Sequence, residues 1–260
     1  MKIRANGIDI NYAVSGRGPW LTLGHSLACD LSMWEPQLAA LEPHFTVLRY
    51  DTRGHGQSSA PPGAYTWEML CGDALALFDA LQIEATHFVG LSMGGMIAQH
   101  LALQAPQRIR SLVLADTSSG YSAAAAAVWP ERLRLVAERG TAPLIESILQ
   151  RWFTAPFRAA HPEIMARIGA LIGATPAAGY IGCGQAIARL DLSDRLQQIT
   201  CPTLVLVGAE DSGTPPEMAR LIAAGIRGAR LEIIADAAHL SNIEQSERFN
   251  HLLLNFLRHA

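Results

Sequence analysis

The sequence predicts an α/β fold in which a mostly parallel sheet carries helices on both faces. Short apolar runs bounded by Gly, Pro and Asp alternate with stretches of helical spacing, which is typical of strands joined by crossover helices. The apolar runs are nearly continuous, as expected for strands that are buried on both faces. The chain has 260 residues, of which 50% are hydrophobic, and its mean hydropathy is +0.17. It is therefore long and apolar enough to bury such a sheet in a single core.

The predicted elements follow from these runs in chain order. Residues 3–14, with Asn6-Gly7 in the middle, predict an antiparallel hairpin at the edge of the sheet. The main strands are predicted at residues 20–25, 45–50, 86–91, 111–115, 203–208 and 231–234. Helices are predicted between them, among others at residues 67–81, 96–104 and 217–224.

The alternation of predicted strands and helices stops between residues 121 and 192, where no strand pattern occurs. Helical stretches in this segment are interrupted by Pro130, Pro143, Pro156, Pro162 and Pro176. A good strand pattern precedes the segment and another follows it. We therefore predict that residues 1–120 and 193–260 form one core and that residues 121–192 are inserted as a helical cap, or lid.

Charge and cysteine content exclude several classes of function. Twenty basic and 23 acidic side chains give a net charge of −3, and no long run of either sign predicts binding to nucleic acid or to an anionic membrane. No apolar run is long enough to span a bilayer and no secretory signal is recognisable, so we expect a cytoplasmic protein. Cys29, Cys71, Cys183 and Cys201 lack zinc-ligand spacing, so we expect reduced cysteines, no metal and no cofactor.

The pattern Gly-x-Ser-x-Gly occurs at Gly90-Leu91-Ser92-Met93-Gly94, between a predicted strand and a predicted helix. A serine raised on a tight strand-to-helix turn is typical of a nucleophile elbow, and the glycines avoid a collision across the turn. The simpler alternative is a glycine-rich turn without catalytic function. The flanking strand and helix favour Ser92 as a nucleophile.

A serine hydroxyl needs a histidine base, and the histidine needs a carboxylate to orient it. His239 and Asp211 each follow a predicted strand, where open α/β sheets place their sites. The competing acids are Glu210, Asp236 and Asp116. We prefer Asp211 because of its position in the loop.

Attack on a carbonyl also requires two N–H donors for the oxyanion. The residue after the nucleophile, Met93, supplies one, and the loop after the strand at residues 20–25 is expected to supply the other. Leu27 is our candidate, with Ser26 as the alternative. We expect His25 to brace this loop without exchanging protons.

Several motifs together resemble the serine-hydrolase branch of the α/β-hydrolase superfamily and, within it, the 3-oxoadipate enol-lactonase family. They extend over nearly the whole chain and lie at Ser26-Leu27 and at residues 48–56, 90–96, 151–154, 214–217 and 238–242. The resemblance implies that Ser92, Asp211 and His239 form a catalytic triad and that the cap is a substrate lid. The loop after the strand at residues 20–25 departs from this family. It reads His25-Ser26-Leu27-Ala28-Cys29 where the resemblance leads us to expect Asn-Ser-Leu-Gly-Thr, which changes the pocket wall beside the oxyanion donors.

The resemblance implies hydrolysis of a small carboxylic ester or lactone, with 3-oxoadipate enol-lactone as the specific expectation. That substrate carries a carboxylate, for which the cap should supply a cation beside an aromatic ring. The candidates are Trp129, Arg132, Arg151, Trp152 and Arg189. Alternatively, these arginines are surface residues and the tryptophans only pack the lid onto the sheet.

Three other functions remain open. A generalist carboxylesterase would accept neutral short-chain esters and need no arginine clamp, and a C–C bond hydrolase would use the same triad. A hydrolase-fold receptor for a small molecule would retain the fold with slow turnover. Position 92 is serine, which argues against dehalogenases and epoxide hydrolases, because these use aspartate at the elbow.

Overall fold

A computed structural model describes the backbone of all 260 residues and every side chain except that of Ala123. Its strands are β1 (Lys2–Ala5), β2 (Ile8–Gly16), β3 (Trp20–Gly24), β4 (Thr46–Tyr50), β5 (Thr86–Leu91), β6 (Ile109–Ala115), β7 (Thr203–Gly208) and β8 (Arg230–Ile234). They form one sheet in the order β1-β2-β4-β3-β5-β6-β7-β8. β2 is antiparallel to both of its neighbours, and all pairs from β4 to β8 are parallel. The predicted α/β class is confirmed, and the main strands begin or end at most two residues from their predicted limits.

The helices complete the layers around this sheet. They are α1 (Glu35–Leu41), α2 (Trp67–Ala80), α3 (Met93–Gln104), α4 (Ala123–Ala126), α5 (Trp129–Arg139), α6 (Ile145–Trp152), α7 (Ala155–Ala160), α8 (Pro162–Ala174), α9 (Ala177–Ile187), α10 (Pro216–Gly225), α11 (Ser241–Glu244) and α12 (Ser246–Leu257). Short 3₁₀ turns lie at Leu31–Trp34, Pro106–Arg108, Ala142–Leu144 and Ser193–Gln198.

The order of the strands creates a switch point between β3 and β5. The chain leaves β3 through α1 to reach β4, and then returns past β3 through α2 to reach β5. Right-handed crossovers in opposite directions place α1 and α2 on opposite faces of the sheet. The loops that follow β3 and β5 therefore flank a crevice at the carboxyl edge, where α/β sheets bind ligands.

The N-terminal hairpin forms as predicted. Ala5 pairs with Ile8 across a two-residue turn in which Asn6 and Gly7 both have positive φ, at 46° and 77°. Asn-Gly is favoured in such turns because both residues tolerate the left-handed region. β1 consequently forms one edge of the sheet.

Helix α3 starts at Met93, three residues before its predicted beginning. Gly94 and Gly95 have low helix propensity, which is why the sequence pattern suggested a later start. In the structure the backbone of Gly94 packs directly on β3, and a Cβ at this position would overlap the carbonyl group of Gly24. Tertiary packing therefore determines the start of this helix.

The segment between β6 and β7 contains α4 to α9, while β6 and β7 themselves are adjacent and parallel. An isolated antiparallel bridge joins Gly120 to Asp191, and the N–H of Leu192 donates to the carbonyl of Ser119 at 2.7 Å. The two ends of the segment thus lie side by side. The division into a core and a cap at residues 121 and 192 stays a prediction.

The loop after β4 is held in place by contacts of Asp51 and Arg53. Arg53 forms two hydrogen bonds to the buried carboxylate of Asp73, at 2.7 and 2.6 Å. Asp51 accepts hydrogen bonds from the side chain of Asn11 and from the N–H of Leu31, both at 2.8 Å. These contacts fix the loop within the core.

Two further features concern cysteine and membranes. The cysteines are unpaired among the described side chains, with Cys29, Cys71 and Cys183 buried and Cys201 half-buried. Within the same residues, no single helix has the length and apolarity needed to cross a membrane, although α8 and α9 meet these criteria as a pair bent by 91°. The cytoplasmic location stays a prediction.

Candidate active site

Ser92 lies at the turn between β5 and α3 with φ of 55° and ψ of −115°. A non-glycine residue in this region is strained by about 1–3 kcal/mol and persists only where its surroundings hold it. The N–H of Ser92 donates to the carbonyl of Ala115 at 2.9 Å, and the hydroxyl of Thr117 donates to the carbonyl of Ser92 at 2.7 Å. A Cβ at Gly90 would overlap the backbone of Gly94, so the small residue is required there.

His239 and Asp211 form a buried pair on the loops that follow β8 and β7. The His239 Nδ1 lies 2.8 Å from the Asp211 Oδ2, and the two residues are 5% and 2% exposed. Asp211 also accepts hydrogen bonds from the N–H of Gly213 at 2.8 Å and from the hydroxyl of Thr214 at 2.7 Å. Burial alone would raise the pKa of Asp211, but the charge of His239 and these hydrogen bonds hold the pKa below its usual value.

The competing acids do not contact the imidazole. Glu210 and Asp236 are exposed. Asp116 is buried, but its carboxylate accepts hydrogen bonds from the N–H of Gly208 at 2.8 Å and from the hydroxyl of Ser241. Burial and the nearby charge of Asp211 raise the pKa of Asp116 well above its usual value. The geometry thus favours Asp211 as the partner of His239.

The loop after β3 presents the predicted oxyanion donor, and His25 braces this loop. The N–H of Thr52 donates to His25 Nε2 at 2.9 Å, so the Nδ1–H must donate to the carbonyl of Ser26 at 2.7 Å. This bond orients the Ser26–Leu27 peptide. In the described chain, neither the N–H of Leu27 nor that of Met93 has another acceptor. Neither N–H group is therefore committed to another acceptor, and Leu27 lines the cavity described next.

A cavity of about 400 Å³ lies over the loops that carry these residues. Ser92, His239, Ser26 and Leu27 line it from the sheet side. Helices between β6 and β7 supply much of the remaining wall, which is largely apolar and aromatic: Tyr121, Ala125, Val128, Trp129, Arg132, Ile148, Arg151, Trp152, Tyr180 and Ile187. The cavity has the size and composition of a site for a small molecule.

Four of the five cap candidates line this cavity. The guanidinium of Arg132 lies over the ring of Trp129, 5.5 Å from its centre, and the ring of Trp152 lies 6.0 Å from that of His239. Arg151 donates from Nε to the carbonyl of Ser147 at 3.2 Å. Among the described side chains, neither arginine pairs with a carboxylate.

Arg189 is the exception among these candidates. It follows α9, its side chain is exposed, and it is not part of the cavity wall. The expectation that it contributes to substrate binding is therefore corrected. Ile187, the last residue of α9, lines the cavity, whereas Arg189 lies in the turn that follows the helix and exposes its side chain.

Three side chains at the site were missed by the sequence analysis as candidates. Tyr121 and Tyr180 line the cavity, and the buried hydroxyl of Tyr180 has no hydrogen-bond partner within the described structure. Burial raises the pKa of Tyr180 to about 12. Thr214 orients Asp211. Its position three residues after an aspartate in a loop was a usable sequence signal, because polar side chains in turns form hydrogen bonds with residues close to them in sequence. No sequence signal identified the tyrosines.

The described residues contain no group of three or more His, Cys, Asp or Glu side chains that could hold a metal ion. The arrangement at the cavity is instead a serine, a histidine and a carboxylate with two free N–H groups beside them. Such a set can activate a hydroxyl and stabilise a negatively charged oxygen.

Comparisons with known proteins identify the family to which this chain belongs. The family described as alpha/beta hydrolase fold matches residues 19–246. The 3-oxoadipate enol-lactonase 2 of Acinetobacter baylyi is 38% identical over 251 residues, which cover 96% of this chain and 93% of that enzyme. The crystal structure of the enol-lactonase from Burkholderia xenovorans LB400 has a TM-score of 0.96 and 39% identity, covering 99% of this chain and 100% of that one.

A thermophilic esterase from Thermogutta terrifontis, whose structure has malate bound, has a TM-score of 0.94 and 30% identity. The alignment covers 99% of this chain and 98% of the esterase. These relatives are hydrolases and span both chains almost completely, which supports hydrolase activity. The chain belongs to the α/β-hydrolase family, and the predicted resemblance to 3-oxoadipate enol-lactonases is confirmed.

Proposed function

We propose that this protein hydrolyses a small carboxylic ester or lactone through a Ser92 acyl-enzyme. The observation that carries the proposal is the contact of 2.8 Å between His239 and Asp211 in the wall of a cavity that Ser92 also lines. The strained turn at Ser92 supports it, because such strain is typical of a nucleophile elbow.

In this mechanism the hydroxyl of Ser92 attacks the carbonyl carbon, and His239 Nε2 accepts the hydroxyl proton. Asp211 accepts the Nδ1–H hydrogen bond, which selects the reactive tautomer and stabilises the imidazolium. The N–H groups of Leu27 and Met93 bind the oxyanion. His239 then gives its proton to the leaving oxygen, and a water molecule that His239 activates releases the acyl group from Ser92.

The specific substrate that we propose is 3-oxoadipate enol-lactone or a close analogue. Arg132 and Arg151 are the cations of the cavity wall, and no acidic side chain lines the cavity among the described residues. A guanidinium can bind a carboxylate through two parallel hydrogen bonds, and the ring of Trp129 lies beside Arg132. The names of two relatives, both enol-lactonases, favour the same substrate.

Ring opening of such a lactone is chemically one-directional. His239 would protonate the departing enolate oxygen, and the released enol would become a ketone. The ketone is a poor nucleophile toward the acyl-enzyme, so closure of the ring would not compete with attack by water.

A generalist carboxylesterase is the second candidate. The largely apolar wall supplied by Ile148, Trp152, Val128 and Ile187 would accept neutral acyl and alcohol groups. The similarity to a thermophilic esterase favours this alternative, although that structure contains malate, a dicarboxylate. A small-molecule receptor is a third candidate, and steady multiple turnover would dismiss it.

The deciding experiment compares kcat/KM on the enol-lactone with kcat/KM on short p-nitrophenyl esters. A large ratio in favour of the lactone is the expected result. Equal or lower kcat/KM on the lactone would overturn the specific substrate and favour the generalist esterase. Absence of turnover on both classes would overturn the proposed hydrolysis.

A further inference from the structure

The loop that carries His239 is held by hydrogen bonds on both sides of the imidazole. On one side, the N–H of Ala238 donates to the Glu244 Oε2 at 2.9 Å. On the other side, the N–H of Leu240 donates to the carbonyl of Trp152 at 3.1 Å. The residues on either side of His239 therefore each have a hydrogen-bond partner outside the loop formed by residues 235–240.

The carboxylate of Glu244 also binds the segment that follows α6. Its Oε1 accepts a hydrogen bond from the N–H of Thr154 at 3.0 Å and another from the hydroxyl of Thr154. Glu244 and Thr154 are only 7% and 8% exposed. This one buried side chain therefore joins two segments through hydrogen bonds at both of its carboxyl oxygens.

Trp152 ties the same two segments together a second time. Its carbonyl holds Leu240, and its ring both lines the cavity and lies 6.0 Å from the ring of His239 at an angle of 30°. The position of the imidazole and the position of this part of the cavity wall consequently depend on shared anchors. Glu244 is the polar side chain at the centre of them.

We propose that Glu244 is a positioning residue, which keeps His239 in line with Ser92 by joining the His239 loop to residues 152–154. This inference rests on the proposed role of His239 as the base. Glu244 itself does not line the cavity, so it acts through the backbone of Ala238 and Thr154.

The chemistry of the contact makes Glu244→Gln a sharp test. The carboxylate faces donors at both of its oxygens, and glutamine replaces one oxygen with an NH₂ group. In either orientation of the amide, an N–H then faces another donor, at Thr154 or at Ala238. The variant must therefore break the hydrogen bonds to Thr154 or the one to Ala238, while the size and shape of the side chain at position 244 are kept.

Glu244→Gln is assayed on the short ester that the wild-type protein hydrolyses best. A displaced base costs about 10- to 100-fold in kcat. The change in KM should be much smaller, because the hydrogen bond from Leu240 to the Trp152 carbonyl still holds Trp152 at the cavity wall. The matched control is Glu247→Gln, three residues further on and exposed, which should leave both constants unchanged. Thr154→Val removes one donor and should lower kcat less, whereas Thr154→Ser should restore it.

Three outcomes would overturn this inference. They are a kcat within twofold of the wild type for Glu244→Gln, an effect confined to KM, and equal kcat values for Thr154→Val and Thr154→Ser. The Thr154 pair decides the question if Glu244→Gln does not fold. His239→Ala is measured in parallel: if it retains activity, the proposed function itself fails, and if it alone is inactive, only the positioning role fails.

Discussion

At the scale of single residues, Ser92 combines a strained backbone conformation with burial. The positive φ of Ser92 is compatible with alanine to the same extent as with serine, because both carry a Cβ and neither is branched. The hydrogen bonds that hold the turn use the backbone of Ser92, whose N–H donates and whose carbonyl accepts, and not its hydroxyl. Removing the hydroxyl should therefore affect chemistry and leave the fold unchanged.

Ser92→Ala is expected to lower kcat by about 10⁴-fold or more, since triad members act as a unit. The measurements are steady-state hydrolysis and thermal unfolding, and the melting temperature should match that of the wild type. Residual activity of more than a few per cent, with contaminating esterase excluded, would remove Ser92 as the nucleophile.

Asp211→Asn is expected to be far more damaging to kcat than Glu210→Gln. Of these two acids, only Asp211 contacts the Nδ1 of His239, and an asparagine can present an N–H there and favour the wrong tautomer. Glu210 is exposed and adjacent in sequence, which makes it a matched control. Similar kcat values for the two variants, or the reverse order, would reject Asp211 as the acid.

At the scale of elements, the loops after β3 and β5 meet because the chain reverses direction across the sheet. Leu27 and Ser92 therefore line the same cavity. Their strands are distant in sequence, as the hydrogen bond between the hydroxyls of Thr22 and Thr86 shows, because it joins residues 64 positions apart. The helices between β6 and β7 then close the cavity from above and contribute Arg132. In the proposed function, the loops of the sheet carry the reacting groups, and the helices between β6 and β7 select the substrate.

Arg132→Met is expected to lower kcat/KM on an anionic lactone by about 10- to 150-fold, the cost of a lost hydrogen bond to a charged group. The same variant should retain nearly full kcat/KM on a neutral ester of similar size. Arg151→Met, assayed in parallel, shows whether the second cavity arginine shares the role.

Arg189→Met is the matched control for these variants, because Arg189 is exposed and outside the cavity wall. It should behave like the wild type on both substrates. If neither Arg132→Met nor Arg151→Met distinguishes the anionic from the neutral substrate, the carboxylate clamp is wrong and a generalist esterase is the better description.

At the scale of the whole molecule, several histidines outside the cavity wall are buried or, in the case of His100, half-buried. Burial lowers the pKa of His25, His87 and His100, and it lowers that of His55 from 6.5 to about 3. An unfolded chain binds these protons more readily than the folded one. Their contribution to stability is thus fully present above pH 6.5 and is lost progressively as the pH falls toward the folded value.

His55→Gln is expected to flatten the loss of stability between pH 6.5 and about 3. Each buried histidine should lower the free energy of unfolding by about 1.4 kcal/mol per pH unit in its window. Urea denaturation at several pH values measures the slope, with the exposed His251→Gln as control. An unchanged slope in His55→Gln would show that His55 is not the titrating group.

Much of this architecture could be predicted from local sequence patterns. The apolar runs marked the main strands, Asn6-Gly7 marked the hairpin turn, and the strand and helix around Ser92 marked the elbow. The start of α3 was placed late because glycine has low helix propensity, while close packing on Gly24 decides the outcome. Local periodicity reports which surfaces of a segment are buried, but not what packs against them.

The sequence alone determined the class of the fold and the residue types at the candidate site, because strand burial and turn chemistry act over a few neighbouring residues. Only the tertiary structure decided which side chains come together. It places Asp211 and not Asp116 against His239, and Arg132 and not Arg189 in the cavity wall. It also brings Glu244 into contact with Thr154. These contacts join residues from separate loops and helices, and Glu244 and Thr154 lie 90 positions apart. Their meeting depends on how the crossovers and the inserted segment pack on one sheet, which no local pattern encodes.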